Sequence, residues 1–349
     1  MTEAIDWRLP EHRREAFLRF YGFHLKYRSH PGCVYSLLPA IAEAYDMDED
    51  QRAWLVWLNG NTQNAVTTML LLEAAPHPDD WKKAVDFWND NFKALEWDTD
   101  RRHQKSKFGQ ATERWYLEHG MFAADGWHEA SAGGWPTAWK FSKSQPFMGR
   151  LSAWSMLEYA RILFPDTVPD AGEWLLNDKK GSQSHRNGLA LVAGHESVYW
   201  EPDVADMLGI VDDLAAFGDE LLAEARERFP LEPDVGRLTM ESALCTFKSW
   251  FKVNRRYPNV YADMMYNRIK KGEERFGKGR FDLLWETRQR DLPAPLRLED
   301  NPFDPGLAPE KQNHFRETGQ IPMMWVDYPD MTSDFDRKVQ DESFGRRRS

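Results

Sequence analysis

The chain has 349 residues, a formal net charge of −11 and 42% hydrophobic residues, so it is long and apolar enough for one large or two ordinary folded domains. Its two cysteines, Cys33 and Cys245, exclude a disulfide framework and match no zinc-ligand spacing, which favours a reducing compartment. It has neither an apolar run of about 18 residues nor a basic-then-apolar N-terminus, so we expect a soluble, cytoplasmic protein without a membrane span or signal peptide.

Helical periodicity dominates the sequence, and no run of alternating β-branched residues predicts a sheet. Prolines and capping residues place the helix ends, and we predict helices at 11–27, 33–45, 49–74, 79–94, 98–117, 147–163, 182–194, 203–228, 237–253 and 258–275. Loops are predicted at 120–146 and 164–181. The expected fold is therefore all-α, with a single compact multi-helix body over residues 1–290 and an extended, proline-rich C-terminal tail over 291–349 that wraps the body.

A run of amides interrupts the third predicted helix. Asn59, Asn61, Gln63 and Asn64 lie among apolar residues that keep helical spacing, so not all of them can face water. An unpaired buried amide costs about 1–3 kcal/mol. The run therefore indicates either a satisfied polar network, with Gly60 allowing a kink or a close helix contact, or a pocket for a polar ligand such as a nucleobase.

The segment from Trp135 to Arg150 mixes aromatic rings with Lys140, Lys143 and Arg150 and contains no acid. That mixture suits a strand of nucleic acid, since rings stack on bases and cations meet phosphates. The alternative use of these rings is core packing.

Acidic residues are unevenly placed. Residues 201–232 contain ten acids and two arginines, whereas 101–107, 179–186 and 248–256 contain no acid at all. Such basic islands can bind phosphate in spite of the negative net charge, because a polyanion responds to local potential. Ordinary solvated side chains are the alternative.

The segment from Asp178 to Ala190 combines a glycine, hydroxyls, amides and cations ahead of a predicted helix. This composition is typical of a phosphate-binding loop, with Lys179, Ser182, Arg186 and Asn187 as candidates. Ser182 is equally suited to cap the helix. His195, where that helix should end, can titrate near neutrality.

The predicted helix 237–253 carries an ionisable stripe of Glu241, Cys245, Lys248 and Lys252 beside an apolar one. The stripe can present an acid and an ammonium to one bound group, or it can be a solvated face with helix-stabilising pairs. Tyr261 belongs to an aromatic cluster that follows it.

Several familiar chemistries are excluded. Residues 272–279 approach a nucleotide-binding P-loop, but Gly279 replaces the required Ser or Thr and no strand precedes it. No GxSxG, HExxH, CxxC or GxGxxG motif occurs, so serine hydrolases, zinc peptidases, iron–sulfur proteins and dinucleotide enzymes have no support.

Four features together resemble one bacteriophage family: the amide run from Trp57 to Asn64, the Gly149-Arg150 helix start, the loop from Ser182 to Gly188, and the aromatic-basic helix around Lys248. The family is the α-glutamyl/putrescinyl-thymine pyrophosphorylases, or amino acid:DNA transferases. The resemblance covers most of residues 10–290 and rests on no short diagnostic motif. It implies an all-helical fold distantly similar to helix-hairpin-helix DNA glycosylases, although the chain lacks a clear Leu-Pro-Gly-Val-Gly hairpin.

The resemblance implies a step in phage thymine hypermodification, in which 5-pyrophosphoryloxymethyl-deoxyuridine in DNA exchanges its pyrophosphate for the amine of an amino acid or a polyamine. A flipped base needs amides and stacking rings, for which the candidates are Asn59, Asn61, Gln63, Trp135 and Tyr261. Pyrophosphate needs cations and polar donors, for which the candidates are Lys140, Arg150, Lys179, Ser182, Arg186, Asn187, Lys248 and Lys252. A general base must deprotonate the amine, and the candidates are Asp178, His195 and Glu241.

No cofactor is required by the sequence, and whether Mg²⁺ assists pyrophosphate departure stays open. The expected partners are DNA and a small amine donor, without a membrane, and the oligomeric state is undetermined. Two alternatives remain: a glycosylase-like base-excision enzyme, and a non-catalytic helical module that uses the acidic helix 203–228 to meet a basic partner.

Overall fold

A computed structural model describes residues 5–6, 9–30, 33–98, 101–177, 183–195, 209–248 and 260–292. These residues contain helices and no β-strand, so the predicted all-helical fold is confirmed. The helices are α1 Arg13–Lys26, α2 Val34–Ala44, α3 Glu49–Thr62, α4 Ala65–Ala74, α5 Trp81–Asp90, α6 Phe108–His119, α7 Ala123–Ala132, α8 Trp135–Ser144, α9 Arg150–Leu163, α10 Gln183–Val192, α11 Val211–Arg228, α12 Arg237–Phe247, α13 Val260–Phe276 and α14 Asp282–Asp291.

The helices group into two compact units. Unit 1 takes its described residues from Met1–Cys33, Glu173–Tyr266 and Arg288–Ser349, and unit 2 from Val34–Gly172 and Asn267–Thr287. The predicted tail lies outside the described residues, so the boundary near residue 290 stays a prediction, as does the likeness to DNA glycosylases.

Three predictions of helix and loop are wrong, and no helix was predicted where α14 lies. Residues 102–107 of the helix expected over 98–117 form a 3₁₀ helix before α6. The single helix expected over 49–74 is broken, because Gln63 adopts a left-handed conformation (φ 51°) and the Asn64 side chain caps α4 by accepting from the Thr67 N–H at 3.1 Å. The loop expected over 120–146 contains α7 and α8. The chain turns between them at Gly133 and Gly134, whose φ of +76° suits glycine.

The core of unit 1 is built from α1, α10, α11 and α12, whose apolar faces bury Phe17, Phe20, Leu189 and Phe247 completely. Helices α10 and α12 pack closely at Gly188, where an added Cβ would lie 2.5 Å from the Leu244 carbonyl oxygen. Glycine at this position therefore allows the two helix backbones to approach.

Unit 2 is centred on α3 and α9, and its tryptophans mostly fill the core. Trp57 stacks on Trp115 with ring centroids 5.2 Å apart, and Trp54 packs on the same ring. Gly60 lets α3 approach α9, since a Cβ there would meet the terminal methyl of Met156. Core packing, one of the two uses expected of the aromatic residues, accounts for these rings.

The acidic helix α11 finds basic partners within its own unit. Arg14 of α1 donates to Glu224 at 2.7 Å, and Arg237 at the start of α12 pairs with Asp219 at 2.7 Å. Part of its charge is thus neutralised by neighbouring arginines. No helix among the described residues is long and apolar enough to cross a membrane.

Candidate functional site

A set of polar side chains, all buried except the half-buried Gln63, lies along the first three turns of α9 in unit 2. We call it the α9 cluster, and it consists of Gln63, Arg101, Gln104, Ser152, Ser155 and Tyr159. Ser152, Ser155 and Tyr159 project from the helix itself. The other members reach it from the break between α3 and α4 and from the segment before α6, which includes a 3₁₀ helix at Arg102–Lys107.

The left-handed turn at Gln63 aims its amide at α9. Gln63 Nε2 lies 3.5 Å from Ser155 Oγ, and the same side chain hydrogen-bonds Tyr159. Burial raises the pKa of Tyr159 to about 12, with the nearby Arg101 guanidinium acting in the opposite direction. The phenol therefore stays protonated near neutrality and can donate a hydrogen bond.

Gln104 carries a buried hydrogen-bonding atom that has no partner among the described residues. Its Nε2 donates to Ser152 Oγ at 3.2 Å and lies 3.5 Å from the Phe147 carbonyl oxygen. The side chain is 2% exposed, and its Oε1 has no hydrogen-bond partner among the described residues. Such a buried acceptor costs about 1–3 kcal/mol if it stays unpaired, and a donor from a bound ligand or from water would remove that cost.

Arg101 is fully buried, with 0% of its surface exposed, and its Nε donates to the Gly60 carbonyl at 2.8 Å. The solvated alternative considered for the basic island 101–107 is therefore wrong for this residue. Arg101 and Gln104 were missed as candidates, since an acid-free run does not show which of its members turn inwards. The one available signal was that two acids, Asp98 and Asp100, come just before the island.

The predicted base-reading amides take different directions. Asn59 accepts from Thr68 at 3.1 Å, Thr68 pairs with Thr62 at 2.7 Å, and Asn59 Nδ2 has no partner among the described residues. Asn61 donates back to the Trp57 carbonyl at 2.9 Å. Of these three amides, Gln63 contacts the α9 cluster, while Asn59 joins a threonine network between α3 and α4.

The aromatic-basic segment of unit 2 divides into a buried and an exposed part. Trp135 is largely buried and stacks on Trp139 at 5.6 Å, so it serves the core. Arg150 is also buried, with its guanidinium carbon 4.8 Å from the ring centroid of Trp154. Lys140 is exposed and can meet phosphate.

Unit 1 holds a buried ion-pair arrangement between α10 and α12. His185 Nδ1 lies 2.9 Å from Glu241 Oε1, and His185 Nε2 lies 3.0 Å from the Trp174 carbonyl. Because a carbonyl only accepts, Nε2 donates its proton to the Trp174 carbonyl, and Nδ1 faces the Glu241 carboxyl group. His185 is thus hydrogen-bonded at both ring nitrogens and holds that carboxyl group in place. Since Glu241 is buried, the solvated-face interpretation of its stripe is wrong at this position.

The other described candidates of unit 1 surround that pair along α10 and α12. Arg186 is buried and donates to the Leu176 carbonyl at 2.9 Å, and Asn187 beside it is buried too. Lys248 is half-buried at the end of α12. Tyr261 hydrogen-bonds Thr246 of α12.

His195 is exposed just after α10, with its backbone N–H bonded to the Ala190 carbonyl at 3.0 Å. The remaining candidates, Asp178, Lys179, Ser182 and Lys252, lie outside the described residues. Asn59 and Gln63 belong to unit 2 and Arg186 and Glu241 to unit 1. A pocket shared by these residues therefore stays a prediction.

Within the described part of the chain, no group of three or more His, Cys, Asp or Glu side chains could hold a metal ion. Whether Mg²⁺ takes part is not decided by this observation, since phosphate oxygens of a substrate often supply most of its ligands.

A family model described as amino acid:DNA transferase matches residues 34–257. The chain is also similar to a serinyltransferase of Salmonella phage ViI, with 25% identity over 349 aligned residues that cover 92% of this chain and 84% of the relative. No solved structure matches the chain.

Proposed function

The chain belongs to the amino acid:DNA transferase family, and we propose that this DNA-modifying transferase replaces the pyrophosphate of 5-pyrophosphoryloxymethyl-deoxyuridine with the amine of an amino acid. The amine nitrogen forms a bond to the methylene carbon on the base, and the bond from that carbon to oxygen breaks. Pyrophosphate leaves with the electron pair, and the proton of the attacking nitrogen passes to a base. The relative's name makes serine the first amino acid to test.

The observation that carries this proposal is the α9 cluster, with Gln104 Oε1 buried and without a partner among the described residues. A uracil ring presents an N–H donor between two carbonyl acceptors. The side-chain amide of Gln104 and the Tyr159 hydroxyl offer the matching acceptor and donor. A base turned out of the duplex would supply the partner that Gln104 lacks.

Departure of pyrophosphate needs positive charge. We assign this role to Arg186 and Lys248, with Lys179 and Ser182 from the predicted phosphate loop. Support comes from the burial of Arg186, because a guanidinium removed from water acts more strongly on a charge that develops nearby. Mg²⁺ is an additional candidate for the same task.

For the proton transfer we favour Glu241 over Asp178 and His195. Its support is the hydrogen bond to His185, which holds the buried carboxyl group in a fixed orientation for accepting the proton. The exposed His195 has no such side-chain contact among the described residues.

The test is a product assay. The protein is incubated with duplex DNA that carries the pyrophosphorylated base and with serine, other amino acids or putrescine in separate reactions. The DNA is digested to nucleosides for mass spectrometry, and free pyrophosphate is measured. We expect one amino acid to give a heavier nucleoside and an equal amount of pyrophosphate.

Two results would contradict the proposal. An abasic site would indicate base excision by attack at the sugar carbon. If the substrate stays intact in every reaction and circular dichroism shows that the protein is folded, the protein does not displace pyrophosphate.

A further inference from the structure

Phe147 is an exposed aromatic residue at the tip of the loop between α8 and α9. Its side chain is 38% exposed, and its backbone has a φ of +59°, which a bulky residue rarely adopts. Residues in such conformations persist only where their surroundings hold them, and they concentrate at functional sites.

The loop is held by the residues on either side of the ring. Gln145 and Met148 are buried, and the Met148 N–H donates to the Gln145 carbonyl at 3.1 Å. Gln104 Nε2 lies 3.5 Å from the Phe147 carbonyl. The flanking chain is anchored in this way while the Phe147 ring projects outwards.

The surroundings of the ring suit a polyanion. Lys107 Nζ lies 5.4 Å from the ring centroid, and Lys143 at the end of α8 is exposed. No Asp or Glu occurs between residues 130 and 157 or between 101 and 112. Phosphates on either side of an inserted ring would therefore meet Lys107 and Lys143, and neither of these two segments contributes a carboxylate.

Phe122 is a second exposed aromatic residue of unit 2, and its surroundings are acidic. Its side chain is 65% exposed. It lines a surface pocket together with Glu118, Asp125 and Glu129. Carboxylates at these positions repel phosphate, so exposure of an aromatic ring alone does not make a DNA contact. Phe122 is thus a matched control for Phe147.

The loop leads directly into the α9 cluster. Gln104 contacts both the Phe147 carbonyl and Ser152 Oγ, and Ser155 lies one turn further on. Since an α-helix rises about 1.5 Å per residue, Ser155 is about 9 Å along the axis from the Gly149 cap. A Cβ on Gly149 would meet nothing within 4 Å, so the backbone at this helix start is open to a phosphate.

We propose that Phe147 inserts into the base stack of duplex DNA and fills the space left when the target base turns towards the α9 cluster. Apolar side chains that enter base steps unstack them, and an occupied gap stops the base from returning. The inference rests on the proposed function only in naming the base that is turned out.

The experiment uses a duplex with 2-aminopurine beside the target base, whose fluorescence rises when its stacking partner leaves. We compare the full-length wild type with F147A, F147L, F147G and F122A. Because stacking on an aromatic side chain is worth about 1–3 kcal/mol, the base-flipping equilibrium should fall about 5-fold to 100-fold in F147A. F147L should keep part of the signal, and F122A should equal the wild type.

F147G separates insertion from folding, since glycine adopts the positive φ without strain. It should be as stable as the wild type and yet flip as poorly as F147A. The salt dependence of DNA binding should be unchanged in both variants, because no cation is lost.

The proposal is overturned if folded F147A flips the base as the wild type does, or if F122A is impaired equally. A wild type that raises the fluorescence without forming a new nucleoside would instead refute the proposed chemistry and leave the insertion intact. A wild type that forms the product without raising the fluorescence would refute the insertion alone.

Discussion

Replacement of Gly188 by alanine tests the close packing of α10 on α12. The new Cβ would lie 2.5 Å from the Leu244 carbonyl oxygen and 2.8 Å from the Leu244 carbonyl carbon. Both are backbone atoms, so no side-chain rotation relieves the contact and the helices must separate. Overpacking of this kind costs about 1–3 kcal/mol, against about 1 kcal/mol gained because alanine favours a helix over glycine.

The matched control is Gly60→Ala in the middle of α3. The added Cβ there meets the terminal methyl of Met156, and the next nearest atom is 3.7 Å away. Since that methyl can rotate aside and the helix-propensity gain is the same, G188A should be less stable than G60A by about 1–3 kcal/mol. Urea unfolding of both variants, followed by far-UV circular dichroism, measures the difference. Equal stability, or a G188A protein more stable than the wild type, would refute the packing argument.

Three further predictions concern buried titratable groups. Burial lowers the pKa of His24 to about 4, below the usual 6.5, so the unfolded chain binds the proton more tightly than the folded one. The free energy of unfolding should therefore fall as the pH drops from 6.5 towards 4. Urea titrations at several pH values should show a weaker pH dependence in H24Q. Burial raises the pKa of Tyr159 to about 12, so the wild type and Y159F should ionise equal numbers of tyrosines up to pH 11 in absorbance titrations at 295 nm. If Y159F ionises one tyrosine fewer than the wild type in that range, Tyr159 is not buried. E241A removes the carboxyl group that lies 2.9 Å from His185 Nδ1 and should destabilise the protein by about 3–5 kcal/mol. E241Q can still form a hydrogen bond with His185 and should destabilise the protein less. Equal thermal stability of the two variants would refute the pairing.

The sequence predicts helices well where a long apolar period is bounded by clear caps. The end of α9 at Leu163 and the start of α12 at Arg237 illustrate this. The break at Gln63 was missed, because apolar residues continue in helical register on both sides and glutamine rarely takes a positive φ. Asn64, a good helix-capping residue, was the available signal for a second helix.

Helices α7 and α8 were missed for a different reason. A loop is favoured by the close spacing of Gly133, Gly134 and Pro136. Two short helices fit the same residues equally well, with a glycine turn between them and proline in the first turn of the second helix. Tertiary packing decides between the two, since Trp135 and Ala138 bury their side chains in unit 2.

The sequence predicted which residue types are buried at the candidate site, but not which of these side chains point towards α9. The amide run correctly indicated buried polar chemistry near α3, and Gln63 does reach α9. Asn59 and Asn61 follow other directions because neighbours on a helix differ by about 100° in orientation. Arg101 and Gln104 join the cluster through contacts distant in sequence, which no local pattern encodes.

The central claim is that the α9 cluster reads the base, and the kinetics of Q104A test it most directly. The control is N91A, because the Asn91 side-chain amide donates to the Phe87 carbonyl of its own helix at 3.0 Å and lies outside the α9 cluster. Losing a buried acceptor should leave a donor of the base unpaired and lower kcat/KM for nucleoside formation by about 10-fold or more, with DNA affinity and folding retained. If folded Q104A modifies DNA as efficiently as N91A and the wild type, the α9 cluster does not read the base.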